Sequence, residues 1–176
     1  MLFSSLDDAL QDKEIPAEIC QQLALINVEH WGFDDQWHTG QLVVNQKIAD
    51  EVIVIFKEVA AAQCPIEKMI PVVHYNWSDD ASMADNNSSA FNYRMVVGKT
   101  ILSKHAFGCA IDINPLQNPY IKGDLVLPPG AVYDPSAKGT VLPDDIVVRA
   151  FEKRGWTWGG RWTTLKDWHH FEKPVP

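Results

Sequence analysis

The apolar residues in the first third of the chain change from a strand-like to a helical spacing. Two β-favouring segments, 23–31 and 37–44, flank the turn sequence Gly-Phe-Asp-Asp, which predicts a β-hairpin. From Gln46 to Ala62 apolar residues recur at steps of three and four, so one face of a helix would be buried. A short helix is expected before the hairpin, over 16–22, with a proline in its first turn.

The remainder of the chain alternates between short strand patterns and polar loops. Strands are predicted by apolar or alternating segments over 69–75, 91–97, 109–113 and 168–173. The Asx- and Ser-rich segment 78–90 is expected to be a loop, and the Pro- and Gly-rich segment 114–145 a longer one. A second helix is predicted over 144–154. These elements favour an α+β fold with a mostly antiparallel sheet and flanking helices.

Composition and charge narrow the function classes. The chain has 176 residues, of which 46% are hydrophobic and 22% charged, so we expect one globular domain over 1–176 with an N-terminal extension over about 1–22. The net charge of −8 argues against binding to nucleic acid. Because no signal peptide and no apolar segment of membrane-spanning length is visible, we expect a soluble protein. We also expect it to be a monomer.

The segment 103–115 contains residue types that could bind a metal. Alternation along the predicted strand puts Asp112 on the face opposite Ile111 and Ile113, among apolar neighbours. An ionised carboxylate in such a place is costly unless it is paired or bound to a metal. His105 precedes the strand and could turn back toward Asp112. On these residues alone, a buried hydrogen-bonded His-Asp pair is the more common arrangement.

The sequence Asp-Trp-His-His-Phe-Glu at 167–172 could complete such a site. If a strand starts at Trp168, Phe171 faces the core together with His169, and His170 faces an open site. We therefore expect His170 to be a ligand and His169 to be structural. Asp167, three residues before His170, could reach a water molecule in the site without being a ligand.

Together these residues suggest a catalytic zinc centre. His105, Asp112 and His170 would supply three ligands and leave a fourth position open, which is typical of catalytic zinc. Asp167 could act as the general base, and Arg94 could stabilise an oxyanion. With three cysteines and no C-x-x-C pair, the chain has no thiolate cluster that would compete for this role.

Five short motifs match the pattern of a known family. They are FNYR at 91–94, SKHAFGCAIDINP at 103–115, NPY at 118–120, WTWGGRW at 156–162 and DWHHFE at 167–172. They resemble the VanY-like zinc peptidases of bacterial cell walls, which belong to the LAS group. This group comprises D-alanyl-D-alanine carboxypeptidases and L-alanyl-D-glutamate endopeptidases, and it shares its fold with the zinc domain of Hedgehog proteins. The resemblance extends over about residues 40–172 and implies a Hedgehog/DD-peptidase-like fold.

The resemblance also implies roles for individual residues. One Zn²⁺ ion would be held by His105, Asp112 and His170, with Asp167 as general base and Arg94 polarising the carbonyl. Further positions are candidates for contacts with substrate: Ser103, Tyr93 and Trp158. For the tryptophan cluster around Trp158, plain core packing is an alternative.

The implied activity is hydrolysis of peptide bonds that involve D-amino acids in peptidoglycan stem peptides. Removal of a terminal D-Ala by a D-Ala-D-Ala carboxypeptidase is our first expectation. An L-Ala-D-Glu endopeptidase and a non-catalytic, zinc-containing binding module are the alternatives. The substrate would lie in the periplasm or cell wall, although the sequence does not indicate an export route.

Overall fold

Short helices surround the sheets in the computed structural model, which describes residues 2–174. The α-helices of this part are α1 (Leu6–Ala9), α2 (Ala17–Cys20), α3 (Ala49–Ala61), α4 (Asp79–Ala84) and α5 (Ile146–Glu152). Single 3₁₀ turns lie at Gln46–Ile48, Val72–Tyr75, Lys104–Phe107 and Gly159–Arg161. No helix between residues 2 and 174 is both long enough and apolar enough to cross a membrane.

The strands are mostly short and form four small sheets within the described residues. They are β1 (Leu23–Trp31), β2 (Trp37–Asn45), β3 (Lys68–Met69), β4 (Asn87–Ser88), β5 (Ala110–Asp112), β6 (Tyr120–Lys122), β7 (Leu125–Leu127), β8 (Thr157–Trp158), β9 (Lys166–Asp167) and β10 (His170–Glu172). Strands β1 and β2 form the predicted hairpin, and the antiparallel sheets β5-β10-β8 and β7-β6-β9 lie in the second half of the chain. Among the strands of residues 2–174, only β3 and β4 pair in parallel. The fold is thus a mixture of small, mostly antiparallel sheets and few helices, as the α+β prediction requires.

The main apolar core joins the hairpin, α3, α5 and β10. Phe56 of α3 contacts Phe151 of α5 edge to face, with ring centroids 6.0 Å apart. Phe151 in turn stacks on Phe171 of β10 at 4.3 Å, and all three side chains are fully buried. Because side chains alternate along a strand, Phe171 in the core turns its neighbours His170 and Glu172 toward the opposite face.

A second apolar cluster holds the N-terminal residues against the hairpin. Ala9 and Ile19, from α1 and α2, pack with Leu23, Val43 and Phe91. The segment predicted as an N-terminal extension therefore covers one side of the hairpin.

Two segments between the hairpin and the first predicted metal ligand differ from their predictions. Residues 69–75 are not one strand, since β3 ends at Met69 and a 3₁₀ turn follows Pro71, which cannot donate to a sheet. Segment 78–90 is not all loop, because it contains α4. Ser78 caps this helix by accepting a hydrogen bond from the backbone of Ala81, and two aspartates favour its first turn. The serine and aspartates that suggested a loop are thus the residues that stabilise the start of this helix.

The other differences concern short elements. Segment 91–97 forms no strand. It is held by scattered backbone contacts, such as the bond from Phe91 N to Val43 O and the bridge between Met95 and Leu102. The long excursion 114–145 contains the hairpin of β6 and β7. The last strand begins at His170 and not at Trp168, because residues 168–169 form a turn.

Candidate active site

The three predicted metal ligands meet beside the sheet β5-β10-β8. Antiparallel pairing of β10 with β5 puts His170 directly opposite Asp112. His105 comes from the 3₁₀ turn before β5, and Gly108 ends this turn with φ +64°. A Cβ atom at Gly108 would lie 2.5 Å from the backbone nitrogen of Asn45, so only glycine lets the turn pack against the hairpin. All three site residues are buried.

Nitrogen and oxygen atoms of His105, Asp112 and His170 lie close enough together to contact one ion. His105 Nε2 lies 3.1 Å from Asp112 Oδ2 and 3.2 Å from His170 Nδ1, and His170 Nδ1 lies 2.9 Å from Asp112 Oδ1. Ligands at zinc distances occupy tetrahedral corners about 3.3 Å apart. One ligand atom from each of the three side chains lies within 4.8 Å of the others, a spacing that a single ion can bridge. They are the one group of this kind among residues 2–174.

Hydrogen bonds behind the site fix the histidine tautomers. His105 Nδ1 donates to the carbonyl of Ala90, which leaves the Nε2 lone pair facing the site. His170 Nε2 donates to Glu172 Oε2 at 3.1 Å, which leaves its Nδ1 facing the site. Metal-binding histidines characteristically donate their other ring N–H to a carbonyl or a carboxylate. The donor set of two imidazoles and one carboxylate, held in this way, fits a divalent ion such as zinc.

Glu172 was missed by sequence reasoning. It stands at the end of the motif DWHHFE, two residues after His170, and a two-residue step on a strand puts both side chains on one face. This relation already holds for the predicted strand over 168–173, so the spacing was a usable signal.

Electrostatics keep the carboxylates of the metal-free site ionised. Burial would raise the pKa of Asp112, but the adjacent His105 and His169 hold it well below its usual range. Burial alone would lower the pKa of His170, yet hydrogen bonds with Asp112 and Glu172 raise it to about 10. The metal-free site thus carries a proton that an incoming cation must displace.

Asp167 lies next to His105, Asp112 and His170, which are called the metal group from here on. It is paired with His169, which the sequence analysis placed on the core face. His169 Nε2 is 2.9 Å from Asp167 Oδ1 and 3.9 Å from Asp112 Oδ2, and both His169 and Asp167 are buried. The prediction that His169 faces the core with Phe171 is wrong, because His169 belongs to the turn before β10. Burial would lower the pKa of His169, but Asp167 raises it to about 9.

Arg94 lines the same cavity and is held by an aspartate. Its Nη2 lies 3.1 Å from Asp79 Oδ2, and the other oxygen of Asp79 accepts a hydrogen bond from Asn92 Nδ2 at 3.2 Å. The backbone carbonyl of Arg94 accepts from Ser103 N, next to the turn that carries His105. Asp79 was missed because the segment containing it was predicted as a loop.

One cavity of about 590 Å³ joins these groups. Its lining includes the metal group, Asp167, Arg94 and Ser103, and it extends between the loop over 95–102 and the hairpin of β6 and β7. A cleft of this size accommodates a ligand as large as a short peptide.

A family model described as D-alanyl-D-alanine carboxypeptidase matches residues 97–173. The predicted resemblance to the VanY-like peptidases is confirmed. The matched segment is less than half of the chain, and it contains the metal group and Asp167 but not Arg94. No curated protein and no solved structure matches the chain significantly.

Of the three residues expected to contact substrate in a VanY-like peptidase, one lines the cavity and two do not. Ser103 lines the cavity, and its Oγ caps the turn by accepting from the backbone of His105 at 3.3 Å. Trp158 is only 1% exposed and lies in the core, so its proposed contact with substrate is wrong. Tyr93 packs on the second apolar cluster and is not among the residues that line the cavity. Trp162 lines it instead, with its ring centroid 5.6 Å from that of His170.

Proposed function

We propose that this protein is a zinc-dependent peptidase that hydrolyses peptide bonds involving D-amino acids in peptidoglycan stem peptides, as a D-Ala-D-Ala carboxypeptidase. The observation that carries the proposal is the buried group of His105, Asp112 and His170, whose histidine tautomers are set for an ion by Ala90 and Glu172. The family match over residues 97–173 supports the peptidase chemistry.

The position of Asp167 suits the role of general base. When bound, zinc acts as a Lewis acid and lowers the pKa of a water molecule to about 7. Asp167, buried beside the metal group, then accepts the proton of the attacking water and delivers it to the leaving amine. His169, 2.9 Å from Asp167, offsets the carboxylate charge while Asp167 is ionised.

Arg94 suits the stabilisation of the oxyanion that forms during attack. Its guanidinium lies in the cavity wall, and Asp79 restricts where it can point. A donor that is already oriented requires no rearrangement when negative charge develops on the substrate. Ser103 holds the turn of His105 and faces the same space.

Several wider properties belong to the same proposal. We assign the chain a Hedgehog/DD-peptidase-like fold in a single domain over 1–176, with residues 1–22 as its extension. We propose that it works as a monomer, without a nucleic acid partner, on stem peptides in the periplasm or cell wall.

A purified stem pentapeptide tests the proposal. Incubation with the zinc-loaded protein should release free D-Ala, identified by mass spectrometry, and a chelator should abolish the release. Asp167→Asn should bind zinc but release D-Ala at least 100-fold more slowly, as expected for loss of a general base. Release of L-Ala or of an L-Ala-terminated fragment would instead indicate an endopeptidase. Zinc binding without any hydrolysis would indicate a binding module.

A further inference from the structure

Three lysines line the active-site cavity without a carboxylate partner. Lys99, Lys104 and Lys122 all face it, and none makes an ion pair or a side-chain hydrogen bond within residues 2–174. Most other lysines of the chain are engaged, for example Lys68 with Asp85 and Lys138 with Asp35. The cavity therefore concentrates cationic groups that make no direct contact with a carboxylate among residues 2–174, although Lys104 is near enough to Glu172 to help lower the pKa of that carboxyl.

The acidic residues of the cavity, in contrast, are all occupied. Each of the four lies within 3.2 Å of a cationic or imidazole nitrogen: Asp79 of Arg94, Asp112 of His105 and His170, Asp167 of His169, and Glu172 of His170. The uncompensated charge that a ligand meets is therefore positive, on a chain whose net charge is −8. Such a local reversal of charge attracts an anionic ligand.

The position of Lys104 differs from that of the other two lysines. It immediately precedes the ligand His105 in the same 3₁₀ turn and is partly buried, whereas Lys99 and Lys122 are exposed at the rim. One residue of extended peptide spans about 3.5 Å, so the carboxylate of a last residue lies one residue's length beyond the bond to be cut. Lys104 is the unpaired cation nearest along the chain to the metal group.

We propose that Lys104 binds the free C-terminal carboxylate of the peptide and thereby makes the enzyme a carboxypeptidase, while Lys99 and Lys122 attract further carboxylates of the same peptide at the rim. This inference rests on the proposed function, since it assumes that the peptide is cut beside the metal group. An endopeptidase substrate has no terminal carboxylate next to the bond that is cut, and Lys104 would contribute nothing to its binding.

The test compares two acetyl-blocked peptides that end in D-Ala-D-Ala, one a free acid and the other a carboxamide. The wild type should cleave the acid with a kcat/KM about 10- to 100-fold higher, the range expected for a hydrogen bond between charged groups. Lys104→Met should lose this preference, mainly through a higher KM for the acid, so that its kcat/KM values for the acid and the amide become similar. Lys104→Arg should retain most of the preference because it keeps the charge.

Control measurements separate binding from folding. Lys57→Met, at an exposed position on α3, should behave as the wild type. Zinc content and the melting temperature should be equal in all variants. If Lys104→Met were unstable, Lys104→Gln would replace it and should show the same loss of preference.

Calorimetric binding of both peptides distinguishes failure of this inference from failure of the proposed function, because it needs no turnover. If the protein cut neither peptide but bound the acid more tightly, and Lys104→Met abolished this difference, the assignment of Lys104 would stand and the peptidase proposal would fall. The role of Lys104 would be refuted if the wild type cleaved or bound the acid and the amide equally well. It would also be refuted if Lys104→Met still preferred the acid.

Discussion

Replacing Glu172 by glutamine tests whether the partner behind His170 prepares the site for its ion. The substitution keeps the shape of the side chain but removes the negative charge 3.1 Å from His170 Nε2. The charge of Glu172 has two opposite effects on zinc binding: it stabilises the proton on His170 that the ion must displace, and its hydrogen bond holds the ring with Nδ1 toward the site. Loss of such a partner typically weakens metal binding about 10- to 100-fold, or about 1.4 to 2.7 kcal/mol, which is the net of both effects.

The dissociation constant for zinc would be measured by competition with a chromophoric chelator at constant pH. Glu172→Gln should raise it by that factor, whereas Glu18→Gln, at an exposed position on α2, should leave it unchanged. In the metal-free protein the pKa of His170, followed by NMR, should fall because the hydrogen bond to Glu172 is one of the causes that raise it. If Glu172→Gln bound zinc as tightly as the wild type, Glu172 would have no part in the metal site.

Three further predictions follow from the geometry. In the metal-free protein the pKa of His170 is about 10, so zinc must displace a proton from this ring. The affinity for zinc should therefore rise about tenfold per pH unit between pH 6.5 and 8. An affinity that did not change with pH would mean that His170 is not a ligand. Asp79→Asn should lower kcat about 10- to 100-fold by releasing Arg94 while zinc content stays constant, and Asp80→Asn, exposed in the same helical turn, should have no effect. Phe171→Ala should destabilise the fold by about 3 to 5 kcal/mol in chemical denaturation, since this ring is fully buried against α5; a loss below 1 kcal/mol would contradict the core described above.

The elements that could be predicted from the sequence are those with a long, regular pattern. The hairpin could be predicted because two β-favouring segments of about nine residues flank a turn sequence, and α3 because its apolar residues recur at steps of three and four over thirteen residues. The metal group could also be predicted, because each ligand stands in a dense local motif and the strand alternation around Asp112 is clear.

The misplaced elements are short ones, for which long-range contacts decide the structure. Helix α4 has only six residues, and its start is capped by Ser78, whose hydroxyl accepts a hydrogen bond from the backbone N–H of Ala81. Strand β10 begins at His170 because pairing with β5 begins there, and the predicted start two residues earlier assigned His169, which lies in the turn, to a strand face. Asp79 and Trp158 were misjudged for the same reason, since tertiary packing determines which of them reaches the cavity.

The two histidines of the metal group are 65 positions apart in the sequence, one in a turn that packs on the hairpin and the other on a strand anchored in the core. An ion held by both therefore closes a large loop of the chain in addition to its chemical role. Removal of the metal should therefore make the segments around the cavity more susceptible to proteases. Loss of the ion would thus expose the metal-free molecule to degradation.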